Sequence, residues 1–165
     1  PTQSKAITDL IQSIFITELI NTSKEIWFAF AWISNIDILD NTTRKFNSSH
    51  PEWPATHIKL DFILSSLLST GTNLRFIIRR DGHNNYFIDK LNKLKKGYFD
   101  QLKWIIEPDF HLKGLVGEDY SLSGSMNLTN RGISANDEHI IFRTHPSVVS
   151  QHRIELKEKW ENKML

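Results

Sequence analysis

Cysteine is absent from the 165-residue chain. That excludes disulfide frameworks, zinc–thiolate sites and thiol nucleophiles, and leaves the compartment open. Long apolar runs are absent too. None approaches the roughly 20 residues that span a bilayer, so no membrane-spanning helix is expected; a membrane is not among the expected partners. Neither sign of charge dominates: 20 Lys and Arg stand against 19 Asp and Glu, a formal net charge of +1. A polyanion would have to be met by a local basic patch rather than by the field of the whole molecule. The sequence contains no Gly-x-Ser-x-Gly elbow, Walker loop or dinucleotide fingerprint, which sets aside the chemistries those motifs carry. What remains is 39% hydrophobic and 24% charged, the composition of a folded domain. The length favours a single domain over residues 1–165. A cytoplasmic location is the expectation, although Pro1 in place of an initiator methionine is compatible with a removed leader.

The order of hydrophobic patterns predicts an α/β fold. Ile7, Leu10, Ile11, Ile14 and Phe15 recur at helical spacing, and Asn21-Thr-Ser ends that helix. Ile26 to Ile33 (IWFAFAWI) is an unbroken apolar run suited to a strand covered on both faces. From His57 the helical pattern returns, with Leu60, Ile63, Leu64, Leu67 and Leu68 in one stripe and Gly71 as the stop. Strands are expected at Leu74 to Ile78 and Leu102 to Ile106. The helix between them turns Phe87, Leu91 and Leu94 inward and Lys90, Lys93, Lys95 and Lys96 outward or toward its C-terminal end. This alternation predicts a mixed, mostly parallel central sheet with right-handed crossovers and helices on both faces. Past Pro108, Phe110 to Val116 and Asp119 to Ser123 read as an antiparallel pair joined tightly through Gly117-Glu118. The polar stretch Asn127 to Asp137 then leads to a strand, Glu138 to Arg143, and a closing helix begins at Pro146.

Residues 34–56 show neither period, carry two prolines and read as a long loop insertion. They suit a plain surface insertion and a flap beside a cleft equally well, the second with Arg44, Lys45, His50 and Trp53 as ligand contacts. His50 and His57 lack partners at metal-ligand spacing, and His83, beside Asn84 and Asn85, reads as a polar surface residue. No metal or cofactor is expected.

The chemistry lies between Phe110 and Phe142. His111 and Lys113 sit two apart on an expected strand, so their side chains share a face. A tight turn returns the chain to Gly124-Ser125-Met126-Asn127, and Glu138 opens the next strand. An imidazole, an ammonium, a hydroxyl, an amide and a carboxylate can thus converge at neighbouring strand ends. That set suits attack on a phosphodiester, whose transition state gathers negative charge on its nonbridging oxygens. Lys113, Ser125 and Asn127 supply donors without a metal. His111 can be the nucleophile when an acceptor such as Glu138 holds its other ring nitrogen. Arg131, close after Asn127, is a candidate substrate contact. Arg79 and Arg80, at a strand end, suit flanking phosphates or a functionless basic turn equally well.

This stretch resembles the phospholipase D superfamily, whose signature is His-x-Lys-(x)4-Asp followed by Gly-Ser-x-Asn. His111-Leu-Lys113 matches the first pair, Gly124-Ser125-Met126-Asn127 matches the second element, and Leu128-Thr129-Asn130 continues as in many members. Glu138 stands eleven residues past Asn127, where the family places the acid that orients its histidine. There is one departure: the aspartate position holds Glu118, with Asp119 next, and the segment up to Gly124 is a residue short. A shortened turn brings Asp119 toward that role, which in the family supports structure more than chemistry. The resemblance implies a half-domain carrying a single copy of the full motif, and hence a two-fold homodimer in which two copies of His111 act as nucleophile and general acid. It also implies a phosphohistidine intermediate and metal-independent, EDTA-resistant cleavage. The short members are mostly nucleases, so DNA or RNA is the expected substrate, with a DNA-modification or phage-defence setting among the members' roles. A lipid phosphodiesterase and a catalytically silent nucleic-acid-binding subunit are the alternatives.

Overall fold

The apolar run after Ser23 becomes the centre of a sheet. In the computed structural model, which describes residues 2–110, 113–134 and 138–164, the strands are β1 (Glu25–Phe30), β2 (Asp37–Asp40), β3 (His57–Lys59), β4 (Asn73–Arg79), β5 (Leu102–Glu107), β6 (Gly114–Val116), β7 (Ser121–Gly124) and β8 (Ile140–Arg143). The helices are α1 (Thr2–Ile20), α2 (Leu60–Ser69), α3 (Asn85–Lys95), α4 (Asn130–Ser134) and α5 (Pro146–Trp160). Six strands form one sheet in the order β5-β4-β1-β6-β7-β8, and β2 pairs with β3 in a small second sheet.

All six residues of β1 are buried, which the alternation of a strand explains. Ile26, Phe28 and Phe30 join Ile11, Phe15, Leu64 and Phe87 from the first three helices in one core. Trp27 and Ala29 point the other way, into a smaller core closed by Trp160 and Met164. Phe28 stacks on Phe76 of β4 at 4.5 Å between ring centroids. Each fully buried side chain of this kind contributes roughly 1.5–3 kcal/mol. Phe110, the residue before His111, meets Trp160 edge-on at 5.8 Å.

The directions of the strands place the chemistry. β1 runs parallel to β4, and β4 to β5, so their C-terminal ends emerge together. β6 is antiparallel to β1, with Gly114 opposite Ala29, and β7 returns with Gly124 just past the Gly114–Ser123 pair. Lys113 and Ser125 therefore flank the same edge at which β1 and β4 end. In open α/β sheets that edge is where ligands bind.

Several expectations are corrected. Among the described residues the main sheet has two parallel and three antiparallel pairings, so it is mixed rather than mostly parallel. The tight β6–β7 turn and the short β7–β8 return account for the antiparallel half. The chain at His57 is extended rather than helical: exposed His57 and Lys59 flank buried Ile58, the period-2 pattern of a strand, and α2 starts only at Leu60. The polar stretch after Asn127 contains the short helix α4.

The segment read as a loop insertion is folded. It holds β2, and Ile36, Ile38, Leu39 and Trp53 are buried in the main core. Asn41 is fully buried: its Nδ2 donates to Asn47 Oδ1 at 2.9 Å and to the Pro54 carbonyl at 2.8 Å, and its Oδ1 accepts from Phe46 N at 3.0 Å. Trp53 is a core residue capped by the His50 ring at 4.0 Å, so it is not a ligand contact. Arg44 and Lys45 are exposed.

Candidate active site

Two glycines let the motif backbone close up. Gly124 ends β7 at a φ of 142°, a conformation side-chain-bearing residues rarely adopt. A Cβ there would strike the His139 carbonyl. The close approach lets Ser125 N donate to His139 O at 2.8 Å and His139 N donate to Ser125 Oγ at 2.9 Å. Ser125 Oγ in turn donates to Glu138 Oε2. Gly132 in α4 packs in the same manner, since a Cβ would collide with the Asn127 carbonyl.

Asn127 is fixed from the other side. Its Oδ1 accepts from the backbone N–H of Trp32 at 3.0 Å, so the carboxamide still offers N–H donors. The next residue, Leu128, runs parallel to Ile33, and its carbonyl accepts from Ser34 N at 2.9 Å. The fully buried Asn84 braces this exit. Its Oδ1 accepts from Ile33 N at 2.9 Å, and its Nδ2 donates to Ala31 O at 2.8 Å and Arg79 O at 2.9 Å. Asn84 thereby clamps the end of β1 to the end of β4.

These elements border a cleft of about 580 Å³ lined by Trp32, Ser34, His83, Asn127, Thr129, Asn130, Arg131, Gly132 and Glu138. Of the residues singled out in the sequence, Asn127, Arg131 and Glu138 meet there, and Ser125 joins through its bond to Glu138. Lys113 borders a neighbouring cavity of about 330 Å³ between the sheet and α5. Ser121 and His152, bonded at 2.6 Å, share that cavity. Arg79 reaches the cleft wall through Trp32, its guanidinium 5.5 Å from the ring centroid, while Arg80 is exposed. His111 lies outside the described residues. A second His-x-Lys pair, His57 and Lys59, is exposed on β3, and Lys59 is paired with Asp37 at 3.0 Å. Among the described residues no group of three or more His, Asp or Glu is spaced to hold a metal ion.

Glu118 and Asp119 sit at the opposite end of the β6–β7 hairpin. Glu118 Oε1 accepts from Lys24 N at 3.0 Å, and its own N–H donates to Ser23 Oγ at 3.0 Å. Asp119 is exposed. Ser23 Oγ donates to Glu18 Oε1 at 2.8 Å. Burial pushes the Glu18 carboxyl up to about 7.

Sequence reasoning missed Trp32 and Ser34 in the cleft lining and Asp81 and Asn84, which brace it, and it read His83 as a surface residue. Asp81 accepts from His83 N at 2.9 Å and from Trp32 Nε1 at 3.1 Å, and these two bonds, the backbone one first, hold its carboxyl below the usual range. The usable signal was position: Asp81 to Asn84 follow directly on a parallel strand.

Residues 15–160 match the family model described as cardiolipin synthase, PLD-like domain. The chain belongs to this phospholipase D-like family. Its fold is similar to Nuc of Salmonella typhimurium, a phospholipase D family member, with a TM-score of 0.60 at 13% identity over 91% of this chain and 86% of that one. NucT from Helicobacter pylori gives 0.55 at 13% identity, covering 98% and 91%. TrmBL2, an archaeal chromatin protein, gives 0.54 at 14% identity, covering 92% of this chain and 49% of its own. At such identities the likeness is one of fold. No curated protein matches by sequence. Among the described residues no helix is long and apolar enough to cross a membrane.

Proposed function

We propose that this phospholipase D-like chain is a nuclease that cleaves DNA or RNA without a metal. The observation that carries this reading is the cleft bordered by the Asn127 amide, Arg131 and the Glu138 carboxylate bonded to Ser125. Its donors suit the nonbridging oxygens of a phosphodiester, and Lys113 adds a cation at the same sheet edge. His111, by its place in the motif, attacks phosphorus and forms a phosphohistidine as the P–O bond to the leaving group breaks. His111 of the partner subunit gives that oxygen its proton. The same imidazole then takes a proton from water, which attacks phosphorus and releases His111. Identical histidines in opposite protonation states are workable because the pair titrates together. A two-fold homodimer supplies the second copy.

The family model's description as a cardiolipin synthase favours a lipid substrate as the second reading. The amide and charged groups of the cleft, Asn127, Asn130, Arg131 and Glu138, beside the aromatic wall of Trp32 and His83, suit a phosphate flanked by a base better than acyl chains. A silent DNA-binding subunit, suggested by the likeness to TrmBL2, would use the same donors without turnover. Incubating the protein in EDTA with plasmid, RNA and a fluorescent phospholipid separates the three. The expected result is cut nucleic acid, intact lipid and a species near twice 19.2 kDa. Lipid turnover alone, or binding without cutting, would replace the reading.

A further inference from the structure

One wall of the cleft is aromatic, and phosphodiester chemistry alone gives it no work. Trp32 is 40% exposed, in a protein whose Trp27 and Trp53 are buried. Its ring is held rather than loose. Nε1 donates to Asp81 Oδ2 at 3.1 Å, and the His83 ring stacks on it at 5.4 Å with 28° between the planes. His83 is fixed in turn, with Nε2 at 3.0 Å from Ser34 Oγ and its backbone N–H on Asp81. The backbone N–H of Trp32 also holds the Asn127 side chain. Aromatic pair and motif amide are therefore positioned as one unit.

We infer that Trp32 and His83 form a stacking platform for an unpaired nucleobase beside the phosphodiester held at Asn127, which makes single-stranded nucleic acid the preferred substrate. The inference rests on the nuclease reading and adds the form of the substrate. A base within a duplex is already stacked on both faces and reaches a platform only after flipping out, at a cost of a few kcal/mol. An unpaired base brings a free π-face, and aromatic stacking accepts every base. Because the stack involves the base and not the sugar, DNA and RNA strands should depend on it equally.

The test is kcat/KM for short single-stranded DNA and RNA, their duplexes and an all-abasic strand, with wild type, Trp32→Ala and Trp32→Phe. Trp32→Ala should lower kcat/KM on base-bearing single strands by about 5- to 150-fold, the equivalent of roughly 1–3 kcal/mol per stacked base. Its loss on the abasic strand should be clearly smaller. Trp32→Phe keeps a stacking face and should recover most of the loss, although it cannot donate to Asp81. Equal losses on base-bearing and abasic strands, no rescue by Phe, or duplexes cut as fast as single strands would each overturn the platform while leaving the nuclease reading intact. Wild type that cuts no oligonucleotide would overturn both.

Discussion

The two ends of the β6–β7 hairpin carry the same kinds of residue under opposite conditions. At the Lys113–Gly124 end, Glu138 is half-buried beside a cleft and bonded to Ser125. At the Gly117–Tyr120 end, Glu18, Ser23 and Tyr120 are sealed in at 3%, 5% and 7% exposure. There Glu118 fastens the turn to the start of β1 through Lys24. Among the described residues, Glu18 Oε2 and the Tyr120 hydroxyl have no hydrogen-bond partner. A strand of three residues separates the ends. The difference shows how one short motif can divide its labour. Groups at the sheet edge where β1 and β4 end have room for a ligand, whereas groups at the other edge are used up in anchoring.

The largest effect expected from breaking this contrast is on turnover. Glu138→Gln keeps the shape but removes the charge beside Ser125, and nuclease turnover should fall by about 100-fold, the scale for a lost electrostatic partner in a transition state. Glu118→Ala, at the anchoring end, removes the acceptor of Lys24 N; it should leave turnover within a few-fold and lower stability by about 1 kcal/mol, the usual worth of one hydrogen bond. Parallel rate and urea-midpoint measurements decide between them, and equal rate losses would erase the distinction.

A smaller effect belongs to Glu18. Its carboxyl is raised by burial to about 7 from an ordinary 4.5, so the folded chain holds a proton that the unfolded chain releases between those values. Stability from this group is complete below about pH 4.5 and is lost as pH rises through 7, on the order of 3 kcal/mol at most. Glu18→Gln should flatten that part of the profile and be the more stable protein at pH 8, as read from Tm across pH 4.5–8. An unchanged slope would mean the carboxyl titrates normally.

The sequence revealed the motif end better than the fold around it. Gly124, Ser125, Asn127 and Glu138 stand close in sequence with fixed chemical types, and the backbone approach at Gly124 is local. The segment 34–56 was opaque because its core residues, Ile36, Ile38, Leu39 and Trp53, follow no single period, and the rest of its order comes from the side-chain amides of Asn41 and Asn47 and from pairing with β3. Trp32 was hidden inside an apolar run whose strand ends at Phe30, two residues before it. His83 looked like surface because its partners, Trp32 and Ser34, lie some fifty residues earlier in the chain.

The most direct measurement is turnover of a single-stranded oligonucleotide in EDTA by wild type and Asn127→Ala, with Tm recorded for both. Asn127 touches the cleft and Trp32 but not the buried network of Glu18 and Glu118. The expected result is cleavage by wild type and a loss of about 100-fold or more in the variant, the scale for one transition-state donor, with Tm lowered by only the few degrees that the lost bond to Trp32 N costs. Wild-type cleavage matched by Asn127→Ala would place the chemistry elsewhere in the molecule.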